Sequence, residues 1–187
     1  MTRDKRHFGW MKKIITFVLI TLSLLATLPA SPQMNPPTPY RPDSSLLHFF
    51  RGSWHGEGAF ANGKKIAADA SFQVGLDSSW LVYTHRDRSP GPYQADAYWG
   101  EDRQTGEFLA YSFDNFQGHR QFVSPGWKDG RLVLTAHAWL PSVGSYFEHF
   151  IYEKLSATSF KMTYETSRDG IEWRMGDWLV FSKYYPN

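Results

Sequence analysis

Short segments in which apolar and polar residues alternate, separated by turn-forming residues, run through 52–183. The alternation has the period of two that belongs to a β-strand, and no interior segment carries a long helical stripe. Asn62-Gly63, Asp129-Gly130 and Asp169-Gly170 favour tight hairpins because these residues tolerate positive φ. Strands joined by turns this short indicate an all-β, up-and-down antiparallel barrel of eight to ten strands. We predict ten strands, at 52–60, 66–76, 79–87, 93–101, 107–114, 118–124, 130–139, 145–154, 158–166 and 171–183.

The first predicted strand opens on Gly52-Ser53-Trp54. Small antiparallel barrels commonly begin in this way, because a wide Trp closes one end of the barrel while glycine lets the strand bend. A short helical turn at 45–50, with Ser44 as its cap, is expected immediately before this strand. A barrel of this strand number usually encloses a pocket for one small apolar molecule.

Residues 1–30 have the composition of a secretory signal. Met11-Lys12-Lys13 is a basic start, 14–28 is an uncharged apolar run, and Pro29-Ala30-Ser31 offers a small-residue cleavage site. Met11 is the better start, because the leader is complete from there. The run is shorter than the about 20 residues of a membrane span, which favours cleavage over the alternative of an uncleaved anchor. We therefore expect an exported protein, periplasmic or secreted. It would contact a membrane only if the leader stayed uncleaved.

The domain that follows the leader is slightly acidic. Residues 31–45 are rich in proline and predict an extended linker before a single domain at 46–187. The chain has a net charge of +2, but 1–30 hold five Lys or Arg against one acidic residue. The 15 basic and 17 acidic residues that remain give a net charge of −2. Such a domain has no electrostatic basis for binding nucleic acid, and we expect none.

Several kinds of chemistry lack their sequence signatures. The chain has no cysteine, which excludes disulfides, thiolate metal ligands and Cys nucleophiles. Neither a Gly-x-Ser-x-Gly elbow nor a phosphate-binding glycine loop occurs. His85, His119, His137 and His149 lie on four different predicted strands, so only a barrel could bring two or three of them together. Their spacing matches no metal-binding motif, and we expect no metal and no cofactor.

The alternation also predicts which side chains face the barrel interior. Apolar faces are shared by alternate residues of the second, third, seventh and ninth strands. In the fourth strand Asp96 and Tyr98 share a face, and a carboxylate beside aromatic rings is a candidate pocket group; an outward, solvated Asp96 is the alternative. The predicted ligand-binding residues are Phe72, Val82, Asp96, Tyr98, Leu134, Phe160 and Met162.

For two pairs of adjacent polar residues, the sequence does not decide which residue faces the barrel interior. Glu148 and His149 are adjacent in one strand, so only one of them can face the interior, and the same holds for Arg120 and Gln121. A buried carboxylate that faces His or Arg would form an acid–base pair or a clamp on a ligand.

Four segments of the chain follow a recognisable order. They are Gly-Ser-Trp-His-Gly at 52–56, Tyr-Trp-Gly-Glu-Asp-Arg-Gln-Thr-Gly-Glu-Phe at 98–108, Gly-Trp-Lys-Asp-Gly-Arg-Leu-Val-Leu at 126–134 and Ser-Arg-Asp-Gly-Ile-Glu-Trp at 167–173. In this order and spacing the chain resembles a bacterial family of exported lipocalin-like (calycin-type) barrels of unknown function. The likeness spans most of 46–183. It implies a lipocalin-like fold and no particular activity.

The opening Gly-x-Trp-x-Gly is also similar to that of the nitrobindins, a more distant group of haem-binding barrels. That group holds haem through a His in a late strand. In this chain no His follows His149, and the last two predicted strands offer Met162 and Met175 instead. This departure argues against haem.

The expected function is therefore the binding of a small hydrophobic or amphipathic molecule without catalysis. One alternative is an envelope protein-interaction domain, which would use the eighth and tenth strands because they are apolar on both faces. The other is an enzyme that acts on a small hydrophobic substrate inside the barrel. It requires two of a set of polar residues to meet in a pocket: Asp96, His85, His137, Glu148 and Glu165.

We predict that residues 1–30 are removed on export. N-terminal sequencing of protein purified from the cell envelope should begin near Ser31, because the small-residue site ends there. A sequence that begins at Met1 or Met11 would support the uncleaved anchor instead.

Overall fold

The computed structural model describes residues 44–185, in which one short helix precedes ten strands. The predicted linker up to residue 43 and the leader lie outside the described residues. Each predicted strand is present, with ends displaced by no more than two residues. Within 44–185 no helix is both long and apolar enough to cross a membrane. The elements are α1 (Ser44–Phe50), β1 (Gly52–Phe60), β2 (Lys65–Gly75), β3 (Trp80–Ser89), β4 (Gln94–Glu101), β5 (Phe108–Asp114), β6 (His119–Ser124), β7 (Arg131–Leu140), β8 (Gly144–Ser156), β9 (Ser159–Ser167) and β10 (Trp173–Tyr184).

The ten strands form a closed barrel in which every strand is antiparallel to its neighbours. Each strand pairs with the next along the chain, and β1 pairs with β10 to close the sheet, from Ser53 opposite Tyr184 to Phe60 opposite Asp177. The backbone pairing between β6 and β7 is the shortest in the barrel, because it consists of the single pair Val123 and Thr135. The predicted all-β antiparallel barrel is therefore confirmed, with ten strands.

The helix α1 fills one end of the barrel, which we call the base. Phe50 is completely buried there, and its ring centroid lies 4.9 Å from that of Phe72 and 5.3 Å from that of Phe160. Trp127, from the loop between β6 and β7, covers the same end and lies 5.2 Å from Phe50. These ring contacts exclude water from the base and leave the opposite end, the mouth, free of a comparable plug.

Trp54 holds the helix in this position. Its indole N–H donates a 2.7 Å hydrogen bond to the carbonyl oxygen of Phe50, one of the helix-terminal carbonyls that lack a partner within the helix. The ammonium group of Lys183 donates to the carbonyl of Phe49 at 3.2 Å and lies 4.9 Å from the centre of the Trp54 ring. The predicted position of Trp54 at one end of the barrel is confirmed.

Two glycines let β1 lie close to β10. A Cβ atom at Gly58 would overlap the backbone carbonyl of Trp178, and one at Gly56 would overlap the ring of Phe181. A side chain at either position would therefore push the closing strands apart. Glycine at these positions allows the barrel to close around a ring as large as that of Phe181.

Alternation gives the expected interior face in three strands. Phe72 in β2, Leu134 in β7, and Phe160 and Met162 in β9 are all buried in the core. In β3 and β4 the alternation is opposite to the one expected: Leu81, Tyr83 and His85 point inward from β3, and Ala95, Ala97 and Trp99 point inward from β4.

We predict that Gly58→Ala destabilises the protein by about 3 kcal/mol, because the added methyl group meets backbone that cannot rotate away. Gly106→Ala is the matched control. A Cβ atom at Gly106 meets nothing within 4 Å, so only its positive φ is strained, at a cost of about 1 kcal/mol. Urea denaturation of both variants measures the difference, and equal losses would contradict the role of Gly58 in closure.

Candidate functional site

A cavity of about 330 Å³ lies inside the barrel between the aromatic base and the mouth. Its deep part is apolar, because inward-facing aliphatic and aromatic side chains from most strands meet there. Small residues on two adjacent strands, Ala95 and Ala97 on β4 and Ala110 on β5, leave the space that larger residues would fill. The deep walls are Ile66, Ala97, Trp99, Ala110, Phe122, Leu134, Phe150, Tyr152, Met162 and Leu179.

Four of the seven predicted ligand-binding residues lie inside the barrel. Leu134 and Met162 line the cavity. Phe72 and Phe160 face inward but belong to the aromatic packing of the base, where each ring contacts Phe50. These two side chains support the floor of the cavity and are not part of its lining.

The other three predicted residues lie on the outer surface, which corrects the expectation that they face the interior. Tyr98 is 41% exposed and lies opposite Val82 in the register of β3 and β4. Asp96 has a side chain that is 55% exposed and pairs with Arg86 at 2.5 Å. The physical reason is that the large ring of Trp99 is buried in the interior, and alternation then places Ala95 and Ala97 inward and the other face of β4 outward.

A buried histidine on β3 forms the centre of one polar group at the mouth. Asp87 Oδ1 lies 3.0 Å from His85 Nε2, and the two side chains are only 5% and 6% exposed. On the other ring nitrogen, the hydroxyl of Tyr83 lies 3.0 Å from His85 Nδ1. Both nitrogens of the imidazole are therefore engaged by neighbouring side chains.

Asp177 on β10 joins this group from the other side of the mouth. Its side chain lines the cavity together with those of His85 and Asp87. Burial raises the pKa of Asp177 to about 6; the charge on His85 acts to lower the pKa, and that on Asp87 acts to raise it. A carboxyl group with this pKa changes its charge within the physiological range.

A second polar group is built around Arg120 on β6. Its Nη2 donates to Asp114 Oδ2 at 2.9 Å, and its Nε lies 2.9 Å from Glu148 Oε2. The hydroxyl of Tyr146 donates to the other oxygen of Glu148 at 2.7 Å. Arg120 and Glu148 are therefore the inward members of the two pairs of neighbours that the sequence left open.

The contact between Arg120 and Glu148 is electrostatic. Arg120 Nε and Glu148 Oε2 are in close contact, but the Nε–H does not point toward Oε2. Neither of these two atoms therefore completes a hydrogen bond. Burial acts to lower the pKa of Arg120, and the nearby carboxylates of Glu148 and Asp114 outweigh it, so that its pKa is raised. The guanidinium group remains charged, and the two carboxylates together carry more charge than it does.

Two rings from neighbouring loops cover part of the mouth. Tyr93 and Phe116 stack with centroids 6.1 Å apart, and Tyr93 lies 5.7 Å from the ring of His85. Burial raises the pKa of Tyr93 to about 12, so its hydroxyl stays protonated and available as a hydrogen-bond donor. Both side chains line the cavity.

The remaining candidate histidines lie away from the cavity lining. His149 stacks on Trp173 with ring centroids 3.3 Å apart, and its Nδ1 lies 4.0 Å from Glu165. The ring of His137 packs against that of Phe147 at 4.8 Å. Across residues 44–185 no three His, Asp or Glu side chains are grouped as metal ligands would be.

The sequence analysis did not identify Tyr83, Asp87, Tyr93 and Asp177 as members of the site. A signal was present for two of them, because Tyr83, His85 and Asp87 follow one another at a spacing of two and so share one face of β3. Asp177 offered none: it lies at a register shift between β9 and β10, where simple alternation fails.

No protein family matches the chain in sequence, and no curated protein does so either. Among solved structures the chain is similar to a redesigned beta barrel, with 12% sequence identity over 77% of this chain and 99% of that one, and a TM-score of 0.37. The closed ten-strand antiparallel barrel is shown by the fold itself. Membership of the exported lipocalin-like family stays a prediction.

We predict that Asp177→Asn stabilises the protein as the pH rises from 4 to 7. The folded carboxyl group has a pKa of about 6, above the about 3.9 of an unfolded chain, so ionisation destabilises the folded state increasingly over this range. The variant cannot ionise, and by pH 7 it should gain up to roughly 3 kcal/mol relative to the wild type.

Urea denaturation at several pH values measures this difference. Asp96→Asn is the control, because its exposed carboxylate carries no comparable burial cost and the variant should show no such gain. A stability difference between Asp177→Asn and the wild type that does not change with pH would contradict the prediction.

Proposed function

We propose that this protein is an exported barrel that binds one small amphipathic molecule and does not alter it chemically. The observation that carries the proposal is the cavity of about 330 Å³, which is apolar in its depth and polar at its mouth. Ligand pockets in proteins commonly measure about 300 to 1,000 Å³ and combine mostly apolar walls with a few fixed polar groups. A molecule with an apolar body and one polar end fits this arrangement.

The state of the polar groups favours binding over catalysis. A general base needs a free atom that reaches the proton it abstracts, but both nitrogens of His85 contact protein side chains. Glu148 is held between Arg120 and Tyr146, and Asp96 lies outside the barrel. His85 and Glu148 are therefore held by protein side chains as fixed partners for the head of a ligand, whereas Asp177 has no such partner within residues 44–185.

We predict that filling the cavity abolishes binding. Ala97→Phe adds a ring to the lining, whereas Ala67→Phe adds the same ring to the outer face of β2 and serves as the control. Titration with the uncharged fluorescent probe N-phenyl-1-naphthylamine should show at least a ten-fold loss of affinity for Ala97→Phe and little change for Ala67→Phe. Thermal melting reports whether each variant folds, and Ala110→Leu is a second, smaller filling variant.

Native mass spectrometry of the wild type, purified from its own host, should also show a small co-purifying mass. A clean mass together with no uptake of the probe would overturn the binding function. Equal probe affinity in the two Phe variants would show that binding occurs elsewhere than in the cavity.

A further inference from the structure

The acidic and basic side chains at the mouth are unequal in number. Among residues 44–185, carboxylates outnumber cationic groups there: the cationic partners of Asp87, Asp114, Glu148 and Asp177 are Arg120 and, when it is protonated, His85. The site is therefore net negative whichever form His85 takes. A ligand head placed among these groups experiences that excess charge in a partly water-excluded cavity, where electrostatic interactions are stronger than in water.

The charge of Arg120 is already offset by carboxylates, which makes it a poor site for an anion. Two carboxylates, from Asp114 and Glu148, already lie 2.9 Å from its guanidinium nitrogens. A carboxylate or phosphate head that approached Arg120 would also meet the repulsion of these two groups. The positive charge of Arg120 is therefore already offset by Asp114 and Glu148, and an anionic ligand gains little binding energy from it.

Asp177, by contrast, has no close partner of opposite charge. Within residues 44–185 its carboxylate takes part in no hydrogen bond or ion pair, although His85 acts on it electrostatically. Its burial without such a partner is the reason that its pKa is raised. A positively charged group beside it would remove this cost of ionisation.

Aromatic rings surround the same space. The faces of such rings attract cations, and quaternary ammonium groups are commonly recognised by several rings together with a carboxylate. Tyr93 and Phe116 supply two rings at the mouth, next to the acidic groups, and deeper rings continue the wall. The other rings that line the cavity are Phe60, Tyr83, Trp99, Phe122, Phe150, Tyr152 and Tyr164.

On the basis of the proposed binding function, we propose that the ligand is an amphipathic cation, an amine or a quaternary ammonium compound. Its positive head lies at the mouth beside Asp177 and Asp87, against the ring of Tyr93. Its apolar part extends into the cavity toward Leu134 and Met162. Asp177 selects the charge of the ligand, and the cavity walls select its size and apolar character.

Three eight-carbon probes with different head groups separate charge from apolar binding: octylamine, octan-1-ol and octanoate. Isothermal titration calorimetry at pH 7.5 should give the highest affinity for octylamine and the lowest for octanoate, with at least a ten-fold difference between these two. Asp177→Asn should lower the affinity for octylamine about ten-fold. The outer-surface control Asp96→Asn should leave it unchanged.

The pH dependence provides a second measurement. As the pH falls from 7.5 to 5, Asp177 becomes protonated, so the affinity for octylamine should fall while that for octan-1-ol changes little. The groups that face Asp177 are His85 and Asp87 on β3 and Tyr164 on β9. A positive charge on His85 acts in the same direction, and burial raises the pKa of Tyr164, so that its hydroxyl stays uncharged over this range.

The outcomes distinguish this inference from the function on which it rests. Equal binding of all three probes, or tightest binding of octanoate, would overturn the cationic ligand and leave the binding function standing. Octylamine affinity that is unaffected by Asp177→Asn would overturn the role of Asp177. Failure of all three probes, together with the absence of a co-purifying mass, would overturn the binding function itself.

Discussion

The hydrogen bond from Trp54 to the carbonyl of Phe50 fixes how the interior of the barrel is used. It holds α1 against the base, where the ring of Phe50 takes the position that a ligand could otherwise occupy. The aromatic rings packed around Phe50 then form a floor, and the remaining space opens only toward the other end. Together with the packing of Phe49 against the Trp54 ring, this contact fixes the end of the helix on β1 and so sets the depth of the cavity.

Most of the fold follows from local patterns, because hairpin turns and period-two alternation are each set by a few neighbouring residues. Local patterns predict less well which side chains face the interior of the barrel. In β3, Leu81 and Val82 are both apolar, so alternation alone does not choose between the two faces. In β4 the inward face is the one that carries Trp99, because its ring packs against Phe72 and Tyr152 of other strands, and that packing is visible only once the strands are assembled.

The positions of the polar side chains in the site also depend on contacts between strands that local sequence patterns do not predict. The sequence narrowed Glu148 and His149 to one inward residue, and the contact with Arg120 identifies which one it is. That contact joins β6 to β8, two strands that do not pair with each other. Asp177 enters the mouth where the register of β10 shifts, so its position depends on a local irregularity that no repeating pattern predicts.

The short backbone pairing between β6 and β7 makes this the weakest junction of the closed sheet. Counted by its backbone pairing, the barrel is a curled ribbon that runs from β7 through β10 and β1 to β6. The first and last strands thus lie side by side within this ribbon, and its edges lie in the middle of the chain. Shortening β10 would therefore cut the ribbon in two, whereas a new chain break between Ser124 and Arg131 would fall at a natural edge.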